Sequence, residues 1–112
     1  MTESMIKVRD WSKIQRRALT PTEIVTRLSD LPGWKLSGDG ADVAIEKSFS
    51  FFDYYETISF VNALAFVANS LDHHPDLTVQ YDRCVVRFRT HSLAGISEAD
   101  FECAARTDAL LS

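Results

Sequence analysis

Apolar residues recur along this chain at two spacings, and the switches between them mark out seven elements. Ile24, Val25, Leu28 and Leu31 return at helical intervals. Thr20-Pro21-Thr22-Glu23 opens that run with an N-cap, a proline at the first helical position and a capping-box glutamate. Pro32-Gly33 closes it. Residues 34–37 and 43–51 then read as two strands around Gly38-Asp39-Gly40, whose glycines permit the positive φ that a tight hairpin needs. In the second strand Val43, Ile45, Phe49 and Phe51 share a face expected to be buried. Ala44, Glu46, Ser48 and Ser50 share one expected to be mostly wet.

From residue 53 to 71 the period becomes helical again. Tyr54, Ile58, Val61 and Ala65 form one stripe; Phe60, Leu64, Val67 and Leu71 form another, roughly opposite. A helix apolar on two sides has to bury both, so a second subunit is expected against one of them. Two more strands follow. Leu77, Val79 and Tyr81 alternate with Asp76, Thr78 and Gln80, and Tyr81 reads as core. Cys84, Val86, Phe88 and Thr90 alternate with Val85, Arg87, Arg89 and His91, with Asp82-Arg83 as the turn. Ser97, with Asp100 three residues on, opens a last helix through Phe101, Ala104, Ala105, Ala109 and Leu110. The order α-β-β-α-β-β-α predicts an α+β fold: a four-stranded antiparallel sheet with three helices on one face.

At 112 residues the chain suits one domain with a single core. Its 46% apolar and 25% charged content is that of a soluble globular protein. A net charge of −4 argues against nucleic acid as the main partner. The longest apolar stretch, near residues 60–67, is too short to span a bilayer, and no signal-peptide segment opens the chain, so no membrane partner and a cytoplasmic location are expected. Cys84 and Cys103 make no disulfide framework and are expected to be reduced and buried. Residues 1–19 differ from the rest: Lys7, Arg9, Lys13, Arg16 and Arg17 stand against Glu3 and Asp10. They read as a basic N-terminal extension lying on a domain formed by residues 20–112.

All three histidines fall in two short segments, Asp72-His73-His74-Pro75 and Thr90-His91. Imidazole titrates near neutrality and is the usual carrier of acid–base chemistry. Pro75 disfavours helical backbone at His74 and ends the preceding helix. Counting outward from the hairpin turn, His73 or His74 and His91 come within a few residues of register, so the rings share one rim of the sheet. Other readings remain open at this point. The histidines are also common helix-end and turn residues, and three of them with Asp72 or Asp100 make a possible zinc set. Against zinc, adjacent histidines in extended chain point apart, and no His-x-His or His-x₃-His spacing occurs. Asp100 also fits as a first-turn acid favoured by the helix dipole.

The run His73-His74-Pro75, five residues, Tyr81, nine residues, His91, eight residues, Asp100 resembles the pterin-4a-carbinolamine dehydratase family. So do Gly33-Trp34, Phe49-x-Phe51, the aromatic-rich long helix and Thr90-His91 followed by Ala94-Gly95-Ile96. The resemblance covers residues 20–110. It implies dehydration of 4a-hydroxytetrahydrobiopterin to quinonoid dihydropterin, in tetrahydrobiopterin recycling, with no metal or redox cofactor. It implies that His73 and His91 transfer protons at the hydroxyl and that His74 mainly holds the pterin. Asp72, Thr90 and Ser92 would flank the rings as polar contacts to the small-molecule pterin, Pro75 would fix the turn, and Asp100 would belong to the same substrate-binding rim. A homodimer or homotetramer is implied as well. Some relatives are non-catalytic protein-binding or assembly factors, so a protein partner is the rival expectation. Where the family carries a charged residue four positions before the first histidine, this chain has Asn69. On a continuing helix that residue would face His73. Leu77 stands where many members carry tryptophan.

Overall fold

In a computed structural model the chain is described over residues 17–112, so all but the last three residues of the basic extension 1–19 lie outside the described part. The elements are α1 (Pro21–Leu28), β1 (Lys35–Ser37), β2 (Ala44–Ser50), α2 (Tyr54–Leu71), β3 (Asp76–Val79), β4 (Arg83–Phe88) and α3 (Glu98–Ala109), with 3-10 turns at Gly40–Asp42 and His91–Leu93. The strands form one antiparallel sheet in the order β1-β2-β4-β3. Fold class and element order are those read from the sequence.

Local chemistry accounts for most of the boundaries. At α1 the Thr20 hydroxyl accepts the Glu23 N–H (3.2 Å) while the Glu23 carboxylate accepts the Thr20 N–H (3.0 Å), a closed capping box. The helix stops at Leu28, so Leu31 lies beyond it and still packs on the core, whereas Val25 faces water. At α2 the Asp53 carboxylate accepts the Glu56 N–H at 2.9 Å.

The β1–β2 connection is longer than a tight hairpin. The ladder closes at Ser37↔Ala44, leaving six residues, 38–43, between the strands. Arg89 donates to the Ala41 carbonyl (3.0 Å) and Arg87 to the Asp42 carbonyl (3.1 Å), so side chains of the β4 region hold the extra turn against the sheet. Glycine is needed at position 38: its φ is +73°, and a Cβ there would meet the Asp42 carbonyl oxygen at 2.5 Å. The β3–β4 turn is one residue earlier than expected. Gln80 donates to the Arg83 carbonyl at 2.8 Å, and Tyr81-Asp82 form the tip, because Arg83 stays in the ladder opposite Ser50.

The core lies between the sheet and the helices. Ile45, Phe49, Cys84, Val86 and Phe88 from the strands meet Phe60, Leu64, Val67 and Leu71 of α2 and Phe101, Cys103 and Ala104 of α3. Burying each large apolar side chain contributes about 1.5–3 kcal/mol. Trp34 packs on Phe49 and Phe88 and donates its indole N–H to Asp108 at 3.0 Å, joining the start of β1 to the end of α3. Leu19 is buried in the same cluster, and its N–H bonds the Ile96 carbonyl at 2.8 Å. Of the two stripes on α2, the one through Phe60 and Leu64 faces this core. Tyr54 and Ala65 of the other are exposed, with Ile58 and Val61 half-buried. Tyr81 is 65% exposed and stacks on Tyr54, so it is a surface residue rather than core: β3 ends at Val79, and the alternation that suggested an inward Tyr81 runs out at the turn. Among the described residues no helix is long and apolar enough to cross a membrane.

Candidate active site

The site begins with how α2 ends. Asp72 adopts the left-handed conformation (φ 52°, ψ 43°), and the Asp72 and His73 N–H groups turn back onto the last-turn carbonyls, His73 reaching Ala68 at 3.1 Å. Aspartate tolerates this backbone better than most side chains. The reversal directs His73 inward. It is 7% exposed, and its ring lies nearly parallel to that of Phe88, centroids 6.3 Å apart.

The partner of His73 comes from the first turn of α3. Its Nε2 lies 2.6 Å from Oδ1 of Asp100, a side chain with no solvent exposure. A carboxylate withdrawn from water is costly unless donors replace the solvent. Here the second oxygen, Oδ2, accepts the Thr90 hydroxyl (2.8 Å) and the Ser97 backbone N–H (2.9 Å). The N-terminus of α3 is itself a favourable place for negative charge. The Thr90 and Ser97 hydroxyls lie 2.6 Å apart. Four residues from three separate stretches of chain thus form one buried polar cluster.

The structure therefore joins His73, Thr90 and Asp100 directly. Thr90, expected at the pterin edge, and Asp100, expected on the same rim as a first-turn acid, have their polar atoms turned inward and engaged with one another. Asp72, His74, His91 and Ser92 are exposed, and Pro75 is half-buried. His91 does not end β4; it opens the 3-10 turn three residues after Phe88, fastened by the Thr90↔Gly95 bridge. The ladder ends at Asp76↔Arg87, and beyond it His73 and Thr90 meet through the Asp100 carboxylate. Through these contacts the segment ending α2 and the segment following β4 come together at one end of the sheet.

Asn69 is not one helical turn behind His73. The helix has ended by then, Asn69 is exposed, and the carboxylate at the ring is Asp100. Ser97 and Phe88 were not foreseen as members of the site. The Ser97…Asp100 spacing did signal a helix start, but not the contact with a histidine 27 positions away. Among the described residues, no group of three or more His, Cys, Asp or Glu side chains is arranged to hold a metal ion. Zinc therefore lacks a donor set there.

The model of the family described as pterin 4 alpha carbinolamine dehydratase matches residues 17–110. A Paracidovorax citrulli protein named as a pterin-4-alpha-carbinolamine dehydratase is 69% identical over 110 residues, 98% of this chain and 95% of its own. One from Bdellovibrio bacteriovorus, of the same name, is 56% identical over 98 residues, 84% of this chain and 78% of its own. Among solved structures, a transcriptional coactivator/pterin dehydratase from Brucella melitensis superposes with a TM-score of 0.79 at 33% identity, over 86% of this chain and all of that one. A pterin dehydratase-like protein identified as a RuBisCO assembly factor in the alpha-carboxysome gives 0.59 at 28% identity, over 70% and 88%. With a family match across nearly the whole described chain and relatives of this identity and coverage, the chain belongs to the pterin 4 alpha carbinolamine dehydratase family.

Proposed function

We propose that this protein is a hydro-lyase that dehydrates 4a-hydroxytetrahydrobiopterin to quinonoid dihydropterin in tetrahydrobiopterin recycling. The observation that carries the reading is the buried His73–Asp100 pair at the sheet end where the exposed His74 and His91 also lie. The reaction is redox-neutral. The C4a–O bond breaks with its electrons on oxygen, a proton from an imidazolium makes the leaving group water, and a base removes the N5 proton as the N5 electrons close the C4a=N5 bond. An acid and a base within one site meet these demands, and imidazoles serve as both.

In this scheme His73 and His91 exchange protons at the hydroxyl, with Asp100 holding the His73 ring through Nε2. His74 packs against the pterin. Asp72 and Ser92, both exposed beside the histidines, supply polar contacts to the pterin edge, and Pro75 fixes the turn that leads from His74 into β3. The protein acts as a homodimer or homotetramer. Exposed Tyr54, Tyr55 and Phe66 on α2, with half-buried Ile58 and Val61, offer apolar surface that a second subunit would cover.

Turnover of synthetic 4a-hydroxytetrahydropterin tests the reading. Purified protein should accelerate its dehydration, and His73→Ala and His91→Ala should each lower the rate by about 10²-fold or more, the scale of acid–base catalysis. Near-normal rates in both variants would sink it. The rival is a non-catalytic binding or assembly role, favoured by the likeness to the RuBisCO assembly factor. It predicts no acceleration by the wild-type protein.

A further inference from the structure

We propose that Ser97 and Thr90 form a one-way hydroxyl relay that orients Asp100 and thereby fixes which nitrogen of His73 bears the proton. The proposal deepens the catalytic reading above, and its direction follows from counting protons. An ionised carboxylate only accepts hydrogen bonds. The 2.8 Å contact from Thr90 Oγ1 to Asp100 Oδ2 therefore uses the only hydroxyl proton Thr90 has. In its 2.6 Å contact with Ser97 Oγ, Thr90 must accept and Ser97 must donate. The chain of donation runs Ser97 O–H to Thr90 O–H to Asp100.

Oδ2 is further occupied by the Ser97 backbone N–H, a donor that cannot rotate away. The carboxylate is thus pinned from one side by two donors, and Oδ1 is left facing His73 Nε2 at 2.6 Å. That contact is a hydrogen bond only if Nε2 carries a proton. In the neutral ring the lone pair consequently belongs to Nδ1, and the tautomer decides which nitrogen can take up a proton. All three polar side chains behind the ring are almost fully buried: Thr90 is 3% exposed, Ser97 and Asp100 not at all. Water is poorly placed to replace a lost member. Thr90 and Ser97 are positioning residues here, and Thr90 serves from behind the ring rather than at the pterin edge.

The test reads ring nitrogens by ¹⁵N NMR in protein labelled at its three histidines, alongside turnover. In the wild type, neutral His73 should show the Nε2–H form alone. Thr90→Val keeps the shape and removes the donor. It should mix the two tautomers and lower kcat by about tenfold at little changed KM, the net loss expected for one charge-assisted bond. Thr90→Ser restores the hydroxyl and should restore both readouts. Ser97→Ala keeps the backbone N–H and should have a smaller effect in the same direction. An Nδ1–H form in the wild type would overturn the relay, as would an unchanged single tautomer in Thr90→Val. So would a Thr90→Ser variant as impaired as the valine. The ring signals are read without substrate. A wild-type protein that showed the Nε2–H form but no dehydration would overturn the proposed function and leave the relay standing.

Discussion

Replacing Asp100 by asparagine alters one atom of the buried cluster and forces a choice on its neighbours. If the amide oxygen stays toward His73, the new NH₂ group points at the Ser97 N–H, 2.9 Å away in the parent, and two donors meet. The backbone donor cannot turn, so this arrangement is disfavoured. If the amide flips, its oxygen serves Ser97 and Thr90 and its NH₂ faces His73 Nε2. The ring must then give up its Nε2 proton and become an acceptor there, with the proton on Nδ1. The second arrangement keeps a partner for His73, Thr90 and Ser97 and costs about 1–2 kcal/mol, the difference between charge-assisted and neutral hydrogen bonds. For catalysis it leaves the ring with the wrong nitrogen protonated.

The loss in rate should therefore exceed what the stability loss suggests. Misdirected acid–base catalysis costs about 10²–10⁴-fold, and 10² alone corresponds to about 2.7 kcal/mol of activation free energy. The assay is the dehydration of freshly prepared 4a-hydroxytetrahydropterin, followed by absorbance against the uncatalysed rate, with thermal unfolding measured on the same samples. A folded Asp100→Asn protein within threefold of the wild-type rate would refute the assignment of His73 and Asp100 to proton transfer. A rate that fell only in proportion to the unfolded fraction would reduce the pair to a structural role.

Two further outcomes are expected. Paired in two hydrogen bonds of 2.9 and 2.6 Å with the Arg17 guanidinium, and accepting the Thr20 N–H, Glu23 has its carboxyl held down to about 2 from an ordinary 4.5. A depressed carboxyl stabilises the fold above its ordinary pKa and loses that contribution as pH falls through its folded value. The stability gap between wild type and Glu23→Gln, measured by denaturant midpoints, should be full at pH 7, narrow below about 4.5 and nearly vanish toward 2; a gap independent of pH would contradict the pairing. Light scattering at micromolar concentration should give two or four times the 12.6 kDa chain mass, whereas a single chain mass would mean that the exposed face of α2 needs no partner.

Local patterns carried the fold further than the site. Thr20 and Glu23 could be read as a capping box because a cap is a contact over three residues, and the alternation in residues 84–91 put Thr90 and His91 on opposite faces without saying what either meets. What failed was local patterning extended past the end of an element. Leu77, Val79 and Tyr81 share a parity, but the strand stops before Tyr81. Asn69 and His73 share a helical spacing, but the helix stops before His73. The His73–Asp100 contact spans 27 positions and two elements, so no periodicity expresses it. The zinc reading and the resemblance each put both residues on one list, but neither said that they touch. The buried places of Thr90 and Asp100 depend on the packing of α3 across the end of the sheet, which a one-dimensional pattern does not describe.

The end of an element is also where such a site is physically easiest to build. Inside a strand or helix the backbone donors and acceptors are spent on the ladder or the turns, so a buried carboxylate there would find few donors. The first N–H groups of a helix are unspent. Asp100 uses the Ser97 N–H in this way at the start of α3, and takes the Thr90 hydroxyl from the chain just after β4. His73 arrives from the opposite kind of terminus, where the left-handed Asp72 reverses α2 and turns the ring inward. The core needs none of these polar atoms: Leu64, Val67, Ile45 and Val86 would pack the same way around a different loop chemistry. A fold arranged like this can keep its core while the polar cluster at its rim changes, so members of one family can share the sheet and helices and differ in catalysis. On the proposed chemistry, whether a given member catalyses would turn on its rim, and in this chain the rim carries a buried His73–Asp100 pair and the donors that hold the acid.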